Sequence, residues 1–166
     1  MTTPGWTVVV VGAGRMGDIR ATDLASDPRV SEIVIANRTP ARADDLARRI
    51  GGRTVDWETA AQTPADAYVM ALATDAHGDM LDQLLEHGRP ILCEKPIALT
   101  IADTQRICDA VEKSGAPMQI GFQRRFDAGM ARARAMVARG DLGDIYDMVL
   151  ASRDHVPPDR TFIPGS

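Results

Sequence analysis

The sequence predicts an α/β fold, a doubly wound parallel sheet with helices on both faces, running into the start of a second domain. Three observations carry that expectation. The run Val8-Val9-Val10-Val11 is apolar and β-branched without a break, as in a strand buried on both faces. It stops at a glycine turn, with glycines at 12, 14 and 17, and a helical pattern follows. Short apolar runs then alternate with helical patterns as far as Gln123, the alternation of a parallel sheet covered by helices.

In Gly12-Ala13-Gly14-Arg15-Met16-Gly17 each glycine has a physical reading. Gly12 permits the tight turn, Gly14 lets a backbone approach a pyrophosphate, and Gly17 lets the new helix pack closely on the strand. The helix, expected over about 16–26, would aim its positive end at the phosphates. The spacing alone also fits a strand–turn–helix with no ligand. Its place after a strand, with a second apolar run at Ile33–Ala36, favours a dinucleotide site.

The remaining elements follow in order. Thr39 reads as an N-cap with Pro40 at the first helical position, Leu46, Ala47 and Ile50 as the inner face, and Gly51-Gly52 as the stop. Arg53–Asp56 is a short strand, and Trp57–Gln62 a helical turn or two. Ala67–Ala73 is a buried strand, followed by a helix marked by Met80, Leu81, Leu84 and Leu85 and stopped by Gly88. Pro90–Cys93 is a strand running into Glu94-Lys95-Pro96. Thr100 and Asp103 form a capping-box pattern. Ile101, Ile107, Cys108 and Val111 make that helix's expected buried stripe, and Gly115 closes it. Met118–Phe122 is the sixth strand. Past Gln123 the pattern changes: a helix over about 128–139 with Met130, Ala133 and Val137 inward, then a lone strand, Ile145–Ser152, and a loop-like tail.

Composition narrows the function. Net charge is −4 over 166 residues and the pI is about 5.3. Basic residues are dispersed, so neither a nucleic acid nor a membrane surface is an implied partner. No apolar run approaches the roughly 20 residues that span a bilayer. Residues 1–4 lack a charged-then-apolar signal pattern. The two cysteines, Cys93 and Cys108, sit in apolar segments and read as buried free thiols, which fits a reducing cytoplasm.

Several residues carry candidate chemistry. Asn37-Arg38 follows the second strand, where an acidic residue would accept hydrogen bonds from a ribose 2′-hydroxyl. A neutral amide followed by a guanidinium suits a 2′-phosphate instead, favouring NADP over NAD, although a solvated loop arginine reads the same way. Lys95, at the C-terminal end of a central strand, is either a surface lysine or a donor to a reacting hydroxyl. In Thr74-Asp75-Ala76-His77 the histidine touches cofactor or moves a proton, or it merely packs at a helix start. His87 and His155 have no recognisable partners, so no metal site or nucleophilic triad assembles.

Together the segments 9–17, 71–77, Cys93-Glu94-Lys95-Pro96 and 119–127 resemble the glucose–fructose oxidoreductase, inositol dehydrogenase and rhizopine-catabolism (Gfo/Idh/MocA) family. The run 121–127, with Ser152-Arg153-Asp154 and Pro157-Pro158, is similar to its inositol 2-dehydrogenase branch. The resemblance implies a Rossmann NAD(P)-binding domain, residues 1–123, and the truncated start of a second α+β domain, residues 124–166. It implies cofactor contacts from Gly12, Ala13, Gly14, Arg15, Met16, Gly17, Asn37, Arg38, Thr74, His77, Glu94, Lys95 and Pro96, and a catalytic role for Lys95 at the reacting hydroxyl. It also implies a Lys95–Pro96 bond that is often cis and aims the lysine, a homo-oligomer, and a cytoplasmic enzyme that moves hydride between NADP or NAD and a polyol or sugar-like alcohol. The family's Asp and His four residues apart, the His a general base, are not found in residues 1–166.

Two other functions remain open at this point. The chain could be a stand-alone NAD(P)-binding module, acting as sensor or subunit without catalysis. It could also be a Rossmann domain that serves structure alone.

Overall fold

Val8 to Val11 are all buried because their strand, β1 (Trp6–Val11), lies inside the sheet and is covered on both faces. The computed structural model describes residues 5–151 and Arg153. Successive strand residues point to opposite faces. Val9 and Val11 therefore enter one core, and Val8 and Val10 the other.

The chain divides into two compact units, Met1–Gln123 and Arg124–Ser166. In the first, helices and strands alternate: α1 (Arg15–Ala25), β2 (Val30–Ala36), α2 (Pro40–Ile50), β3 (Arg53–Val55), β4 (Ala67–Met70), α3 (His77–Leu85), β5 (Ile91–Cys93), α4 (Ile101–Ser114) and β6 (Met118–Ile120). The six strands are all parallel in the order β3-β2-β1-β4-β5-β6. This is the doubly wound sheet expected from the alternation of apolar runs.

One core joins Val9, Val11, Val34 and Met70 to Met80, Leu81 and Leu84 of α3 and Ile107 of α4. The other joins Val8, Val10, Ile33 and Ile35 to Ala21 of α1 and Ala43, Leu46 and Ala47 of α2. The punctuation acts where the sequence placed it. Gly51 and Gly115 end α2 and α4 in the left-handed conformation, at φ +74° and +68°. Thr100 Oγ1 accepts from the Asp103 N–H at 3.0 Å and donates to the Asp103 carboxylate at 2.7 Å. Thr39 sits at the N-cap of α2, but its side chain makes no capping bond.

Four expectations are corrected, two in the first unit and two in the second. Of the stripe assigned to α4, Ile107 is buried and Val111 packs at the core's edge, whereas Ile101 is 90 % exposed and Cys108 is exposed. Ile101 and Cys108 are seven residues apart and share one face. Ile107 and Val111 are four apart and share another, the one that meets the sheet. The buried-thiol reading therefore holds for Cys93 and fails for Cys108.

A 3-10 turn, Gln123–Phe126, leads into α5 (Ala128–Ala138), capped by the Asp127 carboxylate accepting from the Met130 N–H at 2.9 Å. Met130, Ala133 and Val137 are exposed rather than inward. Residues 145–151 form no strand: among the described residues nothing pairs with this backbone, and a strand depends on a ladder. Tyr146, Val149 and Leu150 are exposed. Ser152, Asp154, His155, Pro157 and Pro158 lie outside the described residues.

The corrected phase of α4 has a direct test. Ile107→Ala empties a fully buried site on α4 and is expected to cost about 2–5 kcal/mol. Ile101→Ala removes an exposed side chain and is expected to stay within about 0.5 kcal/mol. Urea unfolding of the two variants checks both. A loss above about 2 kcal/mol at Ile101 would restore the original stripe.

Candidate dinucleotide site

All six strands run the same way, so their C-terminal ends lie on one edge, where the loops after β1, β2, β4 and β5 meet. Strand order reverses between β1 and β4, the switch point at which open α/β sheets place ligands. A cleft of about 250 Å³ opens there, lined by Gly12, Gly14, Asn37, Arg38, Trp57 and Leu72 among others. A larger apolar cavity of about 510 Å³ touches Trp6, Arg29, Ala67, Pro90 and Pro117. It contains none of the glycine turn and lies at the strands' opposite ends.

The glycine turn separates into three cases. Gly12 has φ +109°, and a Cβ there would strike the Ala71 carbonyl. A Cβ on Gly17 would strike the Gly12 carbonyl. The fold itself thus requires both. A Cβ on Gly14 would meet nothing within 4 Å. Gly14 is the N-cap of α1, with no side-chain cap, at the open mouth of the helix's positive end. Arg15 is exposed and Met16 half-buried at the first turn, and Ala13 lies half-buried between the glycines.

Asn37 ties the turn to β2. Its Oδ1 accepts from the Ala13 N–H at 3.0 Å, and its Nδ2 donates to the Thr39 carbonyl at 3.0 Å. Arg38 lies over the Trp57 ring, with Cζ 5.0 Å from its centroid. Sequence reasoning passed over Trp57, which an aromatic just after the third strand could have signalled.

The Glu94-Lys95-Pro96 segment follows β5. Lys95 is exposed, and the Lys95–Pro96 bond is cis. Glu94 points the other way: it is buried, and its Oε1 accepts from Arg20 Nε at 2.9 Å and Nη2 at 2.7 Å. Gly121 leaves room for it, since a Cβ there would come 3.0 Å from the carboxylate. Arg20 was not singled out from the sequence. Its signal was a carboxylate at the end of an apolar strand, which demands a buried cation.

His77 is also buried. Its Nδ1 lies 3.2 Å from the Ile97 carbonyl and its Nε2 3.3 Å from the Leu72 carbonyl, bracing the loops after β4 and β5. Thr74 is half-buried in the 3-10 turn Thr74–Ala76. The structure thus gathers Gly12, Gly14, Asn37 and Arg38 at one cleft and commits the Glu94 and His77 side chains to protein partners.

Cys93 lies behind His77, with Sγ 3.7 Å from Nδ1. Burial, with the Glu94 carboxylate adding to it, pushes its thiol pKa up to about 12. The unfolded thiol ionises near about 8.5. The unfolded chain therefore loses this proton first, and Cys93's share of stability declines as pH rises from about 9 through 12. Alkylation at pH 9 is expected to modify Cys108 alone in the folded chain and both thiols in denaturant. Modification of both in the folded chain would contradict the burial.

Arg20→Met leaves the Glu94 carboxylate buried without its cation. A loss of about 3 kcal/mol is expected, at the low end for such a pair because Arg20 keeps some solvent contact. Denaturant unfolding measures it, and Arg20→Met with Glu94→Gln should recover part of the loss. Full stability in the single variant would show the pair to be dispensable.

Comparison with known proteins agrees with this geometry. The family profile GFO_IDH_MocA, "Oxidoreductase family, NAD-binding Rossmann fold", matches residues 6–122. A myo-inositol dehydrogenase, Hyg17, from Streptomyces leeuwenhoekii is 37 % identical over 155 residues, covering 92 % of this chain and 47 % of that protein. An inositol 2-dehydrogenase of Rhizobium meliloti is 31 % identical over 159 residues, covering 95 % and 48 %. The crystal structure of a scyllo-inositol dehydrogenase from Lactobacillus casei, with bound NAD(H) and scyllo-inositol, superposes with a TM-score of 0.78 at 26 % identity, covering 85 % and 43 %. The chain spans about half the length of the curated relatives it matches.

Proposed function

This chain belongs to the Gfo/Idh/MocA oxidoreductase family with the NAD-binding Rossmann fold, and on that premise we propose that it is the nucleotide-binding part of a polyol dehydrogenase. Gly14 carries the reading. The fold uses Gly12 and Gly17 for its own packing, but among the described residues nothing lies within 4 Å of a Cβ placed on Gly14. That space, at the N-terminus of α1, fits a pyrophosphate.

In this reading the Gly14–Met16 backbone N–H groups at the first turn of α1 hold the phosphates. Gly12, Ala13 and Gly17 shape the turn. Asn37, Arg38 and Thr74 line the nucleotide's path, while Glu94 and His77 fix the loops that carry Lys95 and Pro96. The bound nicotinamide supplies the hydride acceptor or donor. Lys95, exposed at the end of β5, donates a hydrogen bond to the reacting hydroxyl of a polyol or sugar-like alcohol and stabilises charge on its oxygen. As an ammonium it has no lone pair for the hydroxyl's proton. His77 is enclosed between two carbonyls, so in this reading neither it nor Lys95 is the base. We further propose a homo-oligomer working in the cytoplasm. Both cysteines are free, as a reducing compartment keeps them.

The test uses the space at Gly14. A Cβ on Gly14 meets nothing within 4 Å and its φ is −83°, so Gly14→Val is expected to fold normally and to lose NAD(P)H binding by tenfold or more in fluorescence titration. The unaltered chain is expected to bind NAD(P)H and to produce none from myo-inositol. Undiminished affinity in folded Gly14→Val would overturn the phosphate assignment. Turnover by the 166-residue chain would overturn the division of labour.

A further inference from the structure

We propose that this site selects the 2′-phosphorylated dinucleotide, NADP(H), through a two-arginine clamp, Arg38 and Arg42, with Trp57 as the platform under Arg38. The inference rests on the dinucleotide reading and adds which dinucleotide is bound.

Four observations converge. First, the cleft at the end of β2 is lined by Arg38, Thr39 and Arg42, and no carboxylate lines it. Recognition of an unphosphorylated ribose uses an acid at this place to accept from the 2′-hydroxyl. Second, Asn37 is a neutral amide already committed to holding the turn. Its Oδ1 is engaged by the Ala13 N–H and its Nδ2 by the Thr39 carbonyl.

Third, among the described residues the two cleft arginines are outside any ion pair, whereas several on the surrounding helices and strands are paired. Arg20, Arg29, Arg48, Arg49, Arg53 and Arg106 each pair with a carboxylate. Among the described residues neither Arg38 nor Arg42 is in an ion pair, although Asp44 and Asp45 stand on the same helix as Arg42. Two unneutralised guanidiniums on one small cleft call for an anion of more than one charge. A phosphate monoester on the ribose meets that demand with bidentate geometry.

Fourth, the surroundings favour the same charge. The cleft lies at the N-terminus of α2, whose first turn holds no acidic residue. The Thr39 side chain makes no capping bond there, so its hydroxyl is left for a phosphate oxygen. Trp57 lies beneath the Arg38 guanidinium, with Cζ 5.0 Å from its ring centroid, and restricts where that cation sits.

The test is fluorescence titration of the full 166-residue chain with NADPH and NADH, together with competition by adenosine 2′,5′-bisphosphate and adenosine 5′-monophosphate. NADPH is expected to bind at least tenfold more tightly than NADH, and the bisphosphate to compete better than the monophosphate. Arg38→Ala and Arg42→Ala are each expected to weaken NADPH by about ten- to a hundredfold and to change NADH less than about threefold. Trp57→Leu should weaken NADPH with no change in charge, and circular dichroism checks that each variant is folded. NADH binding as tight as NADPH, or equal losses for both cofactors in the arginine variants, would overturn the clamp and leave the dinucleotide reading standing. Binding of neither cofactor by the unaltered chain would overturn both.

Discussion

The structure depends on β1 being apolar on both faces. A strand with Val8 and Val10 on one side and Val9 and Val11 on the other cannot lie at a surface. Both faces need helices, and helices on both faces require crossover connections, which keep neighbouring strands parallel. Parallel strands bring all their C-terminal ends to one edge. The N-terminus of α1 opens at that edge as well, because α1 begins at Arg15 where β1 has just ended. The site is a consequence of that geometry: the segments that follow β1, β2 and β4 line one cleft with Gly14.

A second constraint ties the two halves of that edge together. Glu94 leaves β5 into the interior, and a carboxylate there is tolerable only with a cation and directed hydrogen bonds. Arg20 supplies both from α1. The helix that begins at the glycine turn is thereby fastened to the strand end that carries Lys95. His77 makes a related link by reaching the Leu72 and Ile97 carbonyls, so the loops after β4 and β5 are held in mutual register. A dinucleotide placed along this edge meets a surface whose parts are already positioned, which lowers the ordering cost of binding.

The sheet was legible because its signals were redundant. An unbroken valine run, a glycine turn and a proline at the first position of α2 agree with one another, and the strands emerged with boundaries shifted by a few residues. The phase of α4 was not legible. Ile101 and Cys108 are as apolar as Ile107 and Val111, and only the neighbouring sheet decides which pair is buried. Residues 145–151 misled for a related reason: β propensity in Tyr146, Val149 and Leu150 is an ability to pair, and pairing needs a partner. At the site, the glycines and the absence of an acid at Asn37 could be read directly. The direction of the Glu94 side chain could not, because it is set by Arg20, a residue 74 positions away in sequence.

Gly14 shows how a ligand can be inferred from a protein described alone. Gly12 and Gly17 are explained by contacts inside the fold, so their presence says only that a helix packs tightly against a strand end. Gly14 has no such explanation: its φ of −83° is open to any residue, and a Cβ would touch nothing. A glycine at a helix N-cap gives up the hydrogen bond that serine, threonine or aspartate would make to the first-turn N–H groups. Those N–H groups are then left to an outside acceptor. The missing side-chain cap and the open space in front of it are the two features on which the proposed phosphate contact rests.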